Sequence, residues 1–176
     1  MSVGAFVGGL LNPLTVPAHV LTLLGVALLI GTQRSGRVLS TLSFAIGTVV
    51  GLAAIVRAVG LTPALDVMLL MSVASGALVA LAIPLPQVLS AIIAATAGLA
   101  LGLDSPPQAI SLVDATASLV GTGLSAMLAF VLVVLIAARL TRSWQRIGLR
   151  IFGSWIAASA TLVLALRIAR GMFFVM

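Results

Sequence analysis

The sequence predicts an all-α fold. It reads as a polytopic bundle of about six transmembrane helices forming one domain, residues 1–176, with a short broken or re-entrant segment at the start. Three observations carry this. Charged residues are 7% of the chain and hydrophobic ones 62%, whereas a water-covered domain carries about 25% charged residues. Mean hydropathy is +1.35, so lipid must cover most of the outside. Apolar runs of the roughly 20 residues that cross a hydrocarbon core also recur along the chain, separated by short polar breaks. Crossings of that length leave no room for a second domain.

The elements follow in order. Residues 3–11 are apolar but too short to span, and Asn12-Pro13 cuts them off. Proline disfavours helix at the residue before it, so a break is expected there. Residues 16–31 form the first span, with Pro17 in its first turn, where a missing N–H costs nothing. Broken backbone at membrane depth survives only when buried in protein or lining a cavity. The second and third spans are residues 38–59 and 63–83. The turn Pro84-Leu85-Pro86 leads into a fourth, 87–103, and the stretch Asp104-Ser105-Pro106-Pro107-Gln108 separates it from a fifth, 112–138. Asp114 is placed to cap that fifth span. The sixth is residues 149–168, with Trp155 deep enough for its N–H to seek a neighbouring helix.

Residues 139–151 read as a separate interfacial amphipathic helix, the alternative being a solvated loop that carries the topology signal. Leu140, Trp144, Ile147 and Ile151 share an apolar face, and Arg139, Arg142, Arg146 and Arg150 share a basic one at phosphate level. The pairs Gly4/Gly8, Gly47/Gly51 and Gly98/Gly102, with Ser72/Gly76 similar in kind, have the spacing that lets membrane helices approach closely.

The nine basic residues are all arginine, against three aspartates, for a formal charge of +6. In a soluble protein this balance would suggest nucleic acid. Between apolar runs it sets orientation and attracts anionic lipid instead. Arg34 and Arg37 follow the first span, and the four arginines of 139–150 follow the fifth. Those loops are therefore expected in the cytoplasm, with both termini outside it, although Arg167 and Arg170 pull the other way. The expected partners are the bilayer, its anionic lipids included, and either a second copy or another membrane subunit; no nucleic acid is expected. The lack of cysteine excludes disulfides, iron–sulfur clusters and thiol catalysis.

Inside an apolar bundle the informative residues are the polar ones, because burial costs several kcal/mol unless they are partnered. Asn12, His19, Asp66 and Asp104 are the candidates for a transport pathway. His19 is the lone imidazole and the one candidate metal ligand, though one imidazole alone binds weakly. Spacing leaves open whether it is a ligand or a hydrogen-bonded structural residue. Arg57 and Asp66 sit at facing ends of the second and third spans and suggest a hairpin ion pair or a gate; Asp104 suggests a turn or cap. Gly123-Leu124-Ser125 with His19 could make a serine hydrolase only if distant spans met, so no enzyme is expected.

The stretch GLLNPLTVPAHVLTLLGVALLIG from Gly9 resembles the opening of the HupE/UreJ family of small hydrogenase- and urease-associated membrane proteins, whose signature there is His-Pro-x-x-Gly-x-Asp-His. Its positions fall on Asn12, Pro13, Leu14, Thr15, Val16, Pro17, Ala18 and His19. Further similarity runs through residues 44–51, Leu65-Asp66 to Val73, 76–86 and 144–166. The resemblance implies a six-helix permease, bacterial inner membrane, with nickel or cobalt as the transported ion. The family's first histidine is Asn12 here, its glycine Val16 and its aspartate Ala18, and LALGLD replaces the histidine-rich end of the fourth helix. His19 and the acidic Asp66 remain. A non-transporting accessory subunit or a channel for a small neutral solute would fit the same residues.

Overall fold

The computed structural model describes residues 3–56, 64–107 and 111–173, and among them every regular element is helical. Seven helices run in the order α1 Val3–Thr15, α2 Pro17–Thr32, α3 Arg37–Val56, α4 Ala64–Leu81, α5 Gln87–Leu103, α6 Leu112–Arg139 and α7 Ser143–Phe173. Of these, α3, α4, α6 and α7 are individually long and apolar enough to cross a membrane. The pair α1 and α2, bent by 67°, makes a fifth crossing if taken as one span. The apolar α5, at 17 residues, is a little shorter, about 25 Å at 1.5 Å per residue.

Helix α2 is at the centre and touches each of the other six. Its composition explains this: PAHVLTLLGVALLIGT is apolar on every side, which suits a helix enclosed by others. Around it, α3 packs on α5, α4 on α7, and α1 on α6. The outward faces carry large apolar side chains, including Ile46 and Val49 on α3 and Leu128 and Leu132 on α6. Several buried hydroxyls bond within their own helices, as with Thr48 to the Phe44 carbonyl at 2.9 Å, because hydrocarbon offers no acceptor.

The α3–α5 seam uses two of the three predicted glycine pairs. A methyl at Gly98 would strike the Phe44 carbonyl, and one at Gly102 would lie 2.6 Å from the Thr48 carbonyl; Gly47 and Gly51 are similarly closed off by Ala95 and Leu99. Beside this seam Phe44 stacks on Phe130 of α6, ring centroids 3.8 Å apart. Gly76 of α4 and Gly153 of α7 face each other in the same manner. Gly4 and Gly8 do not form such a seam: added methyls there would meet nothing within 4 Å among the described residues.

The break falls later than expected. Helix α1 runs through Asn12-Pro13 to Thr15 and stops at Val16, whose backbone is extended at φ −89° and ψ 114°. Proline's effect on the preceding residue therefore operates at Val16-Pro17 and not at Asn12-Pro13. Pro13 is tolerated because α6 repairs the bond it removes. With no N–H at Pro13, the Gly9 carbonyl loses its helical donor, and Thr122 Oγ1 donates to that carbonyl at 3.1 Å. Gly9 itself sits so close to Ser118 that no side chain would fit.

Three further expectations are corrected. Residues 139–151 are not a separate interfacial helix: Arg139 ends α6, and a short turn leads into α7, which continues unbroken from Ser143 to Phe173. The apolar periodicity of 144–151 belongs to the first turns of that long helix. Trp155 is 65% exposed and leans on Phe152, ring centroids 5.9 Å apart, so its ring faces outward and does not reach a neighbouring helix. At the start of α6 the N-cap is Ser111, whose hydroxyl oxygen accepts from the Asp114 N–H at 3.1 Å; Asp114 answers from the third helical position.

Candidate functional site

The arrangement begins with α2. Pro17 and the extended Val16 start the helix beside the bend, which places His19 in its first turn and inside the bundle, 1% exposed. Helix α5 ends at Asp104, whose backbone N–H closes the helix on the Ala100 carbonyl at 3.0 Å. Ser105 adds a second closure, Oγ to the Leu101 carbonyl at 2.8 Å. The cap expected of Asp104 is present, and its side chain does something more. Its Oδ2 lies 3.1 Å from His19 Nε2, with the carboxylate 28% exposed.

This contact fixes the chemistry of the imidazole. A carboxylate only accepts, so Nε2 carries the proton and donates it. In the neutral ring Nδ1 then holds a lone pair. Nδ1 is buried and has no hydrogen-bond partner among the described residues. Such an atom is rare in a folded protein and asks for an explanation. A carboxylate holding one imidazole nitrogen while the other is left as a donor to a cation is the usual support of a metal-binding histidine.

One turn further along α2, Thr22 opens a buried hydroxyl track. Its Oγ1 lies 2.8 Å from the Ala18 carbonyl, 3.2 Å from the Met68 carbonyl and 2.9 Å from Ser72 Oγ of α4. Ser72 donates to Met68 at 2.9 Å, and Ser75 to the Ser72 carbonyl at 3.3 Å. Opposite Ser75 stands Gly25, where a methyl would lie 2.6 Å from the Ser75 hydroxyl. Past this point the α2–α4 seam turns apolar at Leu28, Leu29 and Val79, which form a closed cluster with Ile156 and Leu149 of α7. Beyond the cluster lies a cavity of about 560 Å³ at the opposite end of the bundle, lined in part by Gln33, Arg34, Arg37, Arg146 and Arg150.

Of the four pathway residues expected from sequence, the fold thus joins His19 and Asp104. Asn12 is half-buried on α1, where its backbone carbonyl receives Thr15 Oγ1 at 3.2 Å. Asp66, in the first turn of α4, pairs with Arg167 of α7 at 3.1 Å, both well exposed. Arg57, the partner expected for Asp66, lies outside the described residues. Sequence reasoning missed Ser72 and Ser75 as functional candidates. Their three-residue spacing is common in apolar helices, and only the packing of α4 against Thr22 distinguishes them. Among the described residues no group of three or more His, Asp or Glu side chains is placed to hold a metal ion.

These features define a class: a polytopic helical membrane protein with a buried histidine–aspartate pair at one end of a polar seam. The chain belongs to the HupE/UreJ family, whose model, described as HupE / UreJ protein, matches residues 1–164. That family is one of nickel- or cobalt-transport-related membrane proteins. No curated protein and no solved structure matches the chain.

Proposed function

We propose that the protein is a permease for a small divalent metal ion, nickel or cobalt, which is received at the His19–Asp104 end and passed along the α2–α4 seam. The observation that carries this reading is His19 Nδ1: a buried ring nitrogen without a hydrogen-bond partner among the described residues, on a ring whose other nitrogen is held by a carboxylate. Asp104 orients the ring and contributes negative charge at the mouth, and Asp66, paired with Arg167, is a polar wall residue at the same end of the bundle. Asn12 is the remaining polar wall residue, on the broken helix. Thr22, Ser72 and Ser75 supply oxygens beyond the histidine, and the Leu28–Leu29–Val79 cluster closes the seam. A site with so few protein ligands leaves the ion much of its water. It binds weakly, which conduction requires, because an ion held too tightly does not leave.

In this reading the arginine-bearing loops face the cytoplasm and both termini lie outside, in a bacterial inner membrane. Arg139, Arg142, Arg146 and Arg150 sit at phosphate level, with Trp144 at the interface beside them. The direct test is metal flux into liposomes containing the purified protein. Nickel or cobalt uptake above that of empty liposomes, abolished in His19→Ala, is expected. Undiminished uptake in that variant removes His19 from the mechanism.

One observation favours a second reading. With no three-ligand group among the described residues, a non-transporting subunit that packs against other membrane proteins needs nothing the chain lacks. Purification in mild detergent separates the two: a stoichiometric partner together with no metal flux selects the subunit.

A further inference from the structure

The end of the bundle opposite His19 carries a charge imbalance that the permease reading does not use. Residues 33–36, 82–86 and 140–142 connect helices there, and the cavity of about 560 Å³ lies between them. Arg34, Arg37, Arg146 and Arg150 line it. The three acidic residues of the chain are Asp66, Asp104 and Asp114, at the start of α4, the end of α5 and the start of α6, all at the far end. No Asp or Glu of this chain can therefore neutralise the four guanidinium groups. Arg37 is half-buried, and its Nε is a buried donor with no acceptor among the described residues. Arg150 is held against the wall by its Nε, which donates to the Ala80 carbonyl at 2.8 Å.

The cavity is also shaped deliberately. Gln33, 7% exposed, accepts the Leu85 N–H at Oε1, 3.0 Å, and so ties the 82–86 connection to the end of α2. Helix α4 ends in a left-handed residue, Ala82 at φ 53°, with Ile83 N–H bonded to the Leu78 carbonyl at 3.2 Å. Both devices hold the loop in place at one side of the cavity. Its remaining wall is apolar, with Leu78, Val79, Ile83 and Leu149.

We propose that this cavity binds the phosphate of one anionic phospholipid, with the glycerol and upper acyl chain against the apolar wall. Arginine presents a planar fork of donors that suits phosphate oxygens. The apolar wall selects a lipid phosphate over the free ion, which would gain nothing from it. On the permease reading, four unneutralised guanidinium groups would also repel a departing dication, and one bound phosphate lessens that repulsion.

Native mass spectrometry of the detergent-purified protein tests this, with phosphatidylglycerol, phosphatidylcholine and inorganic phosphate added separately. One phosphatidylglycerol should be retained per chain, with phosphatidylcholine bound far more weakly. Arg37→Gln and Arg146→Gln should each weaken retention by about fivefold, the effect of one basic residue near an anionic headgroup. Arg146 is exposed, so its variant gives the same reading if Arg37→Gln does not fold. Arg142→Gln, outside the cavity lining, should leave retention unchanged. Equal losses for Arg142→Gln and Arg146→Gln would reduce the site to diffuse surface charge and overturn the proposal. So would equal retention of phosphatidylcholine, or displacement of the lipid by millimolar inorganic phosphate.

Discussion

Thr122→Val tests how the bundle tolerates a proline inside α1. The substitution keeps the side-chain shape and removes a hydroxyl that lies 3.1 Å from the Gly9 carbonyl and 3.0 Å from that of Ser118. The Ser118 carbonyl belongs to an ordinary helical turn, but the Gly9 carbonyl lacks its usual helical donor, because the residue four positions on is Pro13. An acceptor left unpaired in a dry seam costs about 1–3 kcal/mol. Interhelical hydrogen bonds in membranes average nearer ~0.6 kcal/mol, so a loss of about 1 kcal/mol is expected. For a chain of this size that lowers Tm by about 2–4 °C. Circular dichroism melts in one detergent provide the assay. The decisive comparison is the same change in a Pro13→Ala background, where residue 13 regains an N–H that can serve the Gly9 carbonyl. There the loss should shrink to less than about 1 °C. Equal losses in both backgrounds would show that Thr122 stabilises the bundle by some route other than repairing the proline gap, and would refute the reasoning.

Two further outcomes follow from backbone geometry. Gly98→Ala places a methyl against the Phe44 carbonyl, where only backbone movement relieves it, whereas Gly8→Ala meets nothing within 4 Å. The first should lower Tm by several degrees and reduce folded yield in size-exclusion chromatography, and the second should change neither. Ala82 holds a left-handed conformation at φ 53°, which costs a non-glycine residue roughly 1–2 kcal/mol. Ala82→Gly relieves this, offset by glycine's greater freedom in the unfolded chain, so a Tm rise of up to about 2–4 °C is expected in the same melts.

Much of the architecture was legible because lipid imposes a simple rule. Apolar runs of membrane length are helices, and the expected ends of the fourth and fifth spans lie within a residue of those of α5 and α6. The glycine pairs on α3 and α5 were legible as packing residues, although sequence could not pair them with each other or separate them from Gly4 and Gly8. The break was misplaced because two prolines, Pro13 and Pro17, compete for it. What decides between them is Thr122, more than a hundred residues away, which satisfies the carbonyl freed by the first. The separate interfacial helix was misread because its apolar periodicity is in phase with that of α7 and continues into it.

The site was legible as residues and not as a constellation. His19 and Asp104 each stand out as ionisable groups in an apolar chain, but 85 positions separate them and no spacing rule joins them. Asp66 stands out equally, yet it pairs with Arg167 and not with a residue of the His19 site. The hydroxyl track was invisible because serine and threonine usually bond to their own helix. Ser72 does so as well, and only the crossing of α2 over α4 brings Thr22 to it.

The central claim is that His19, held by Asp104, receives the transported ion. Nickel uptake into liposomes by the wild-type protein, His19→Ala and Asp104→Asn, measured side by side with fold checked by circular dichroism, tests it most directly. The account predicts uptake by the wild-type protein and none above background for His19→Ala. For Asp104→Asn, which keeps the contact but loses the carboxylate that fixes the ring, it predicts a loss of about 10–100-fold. Wild-type rates in the folded His19→Ala protein would contradict it.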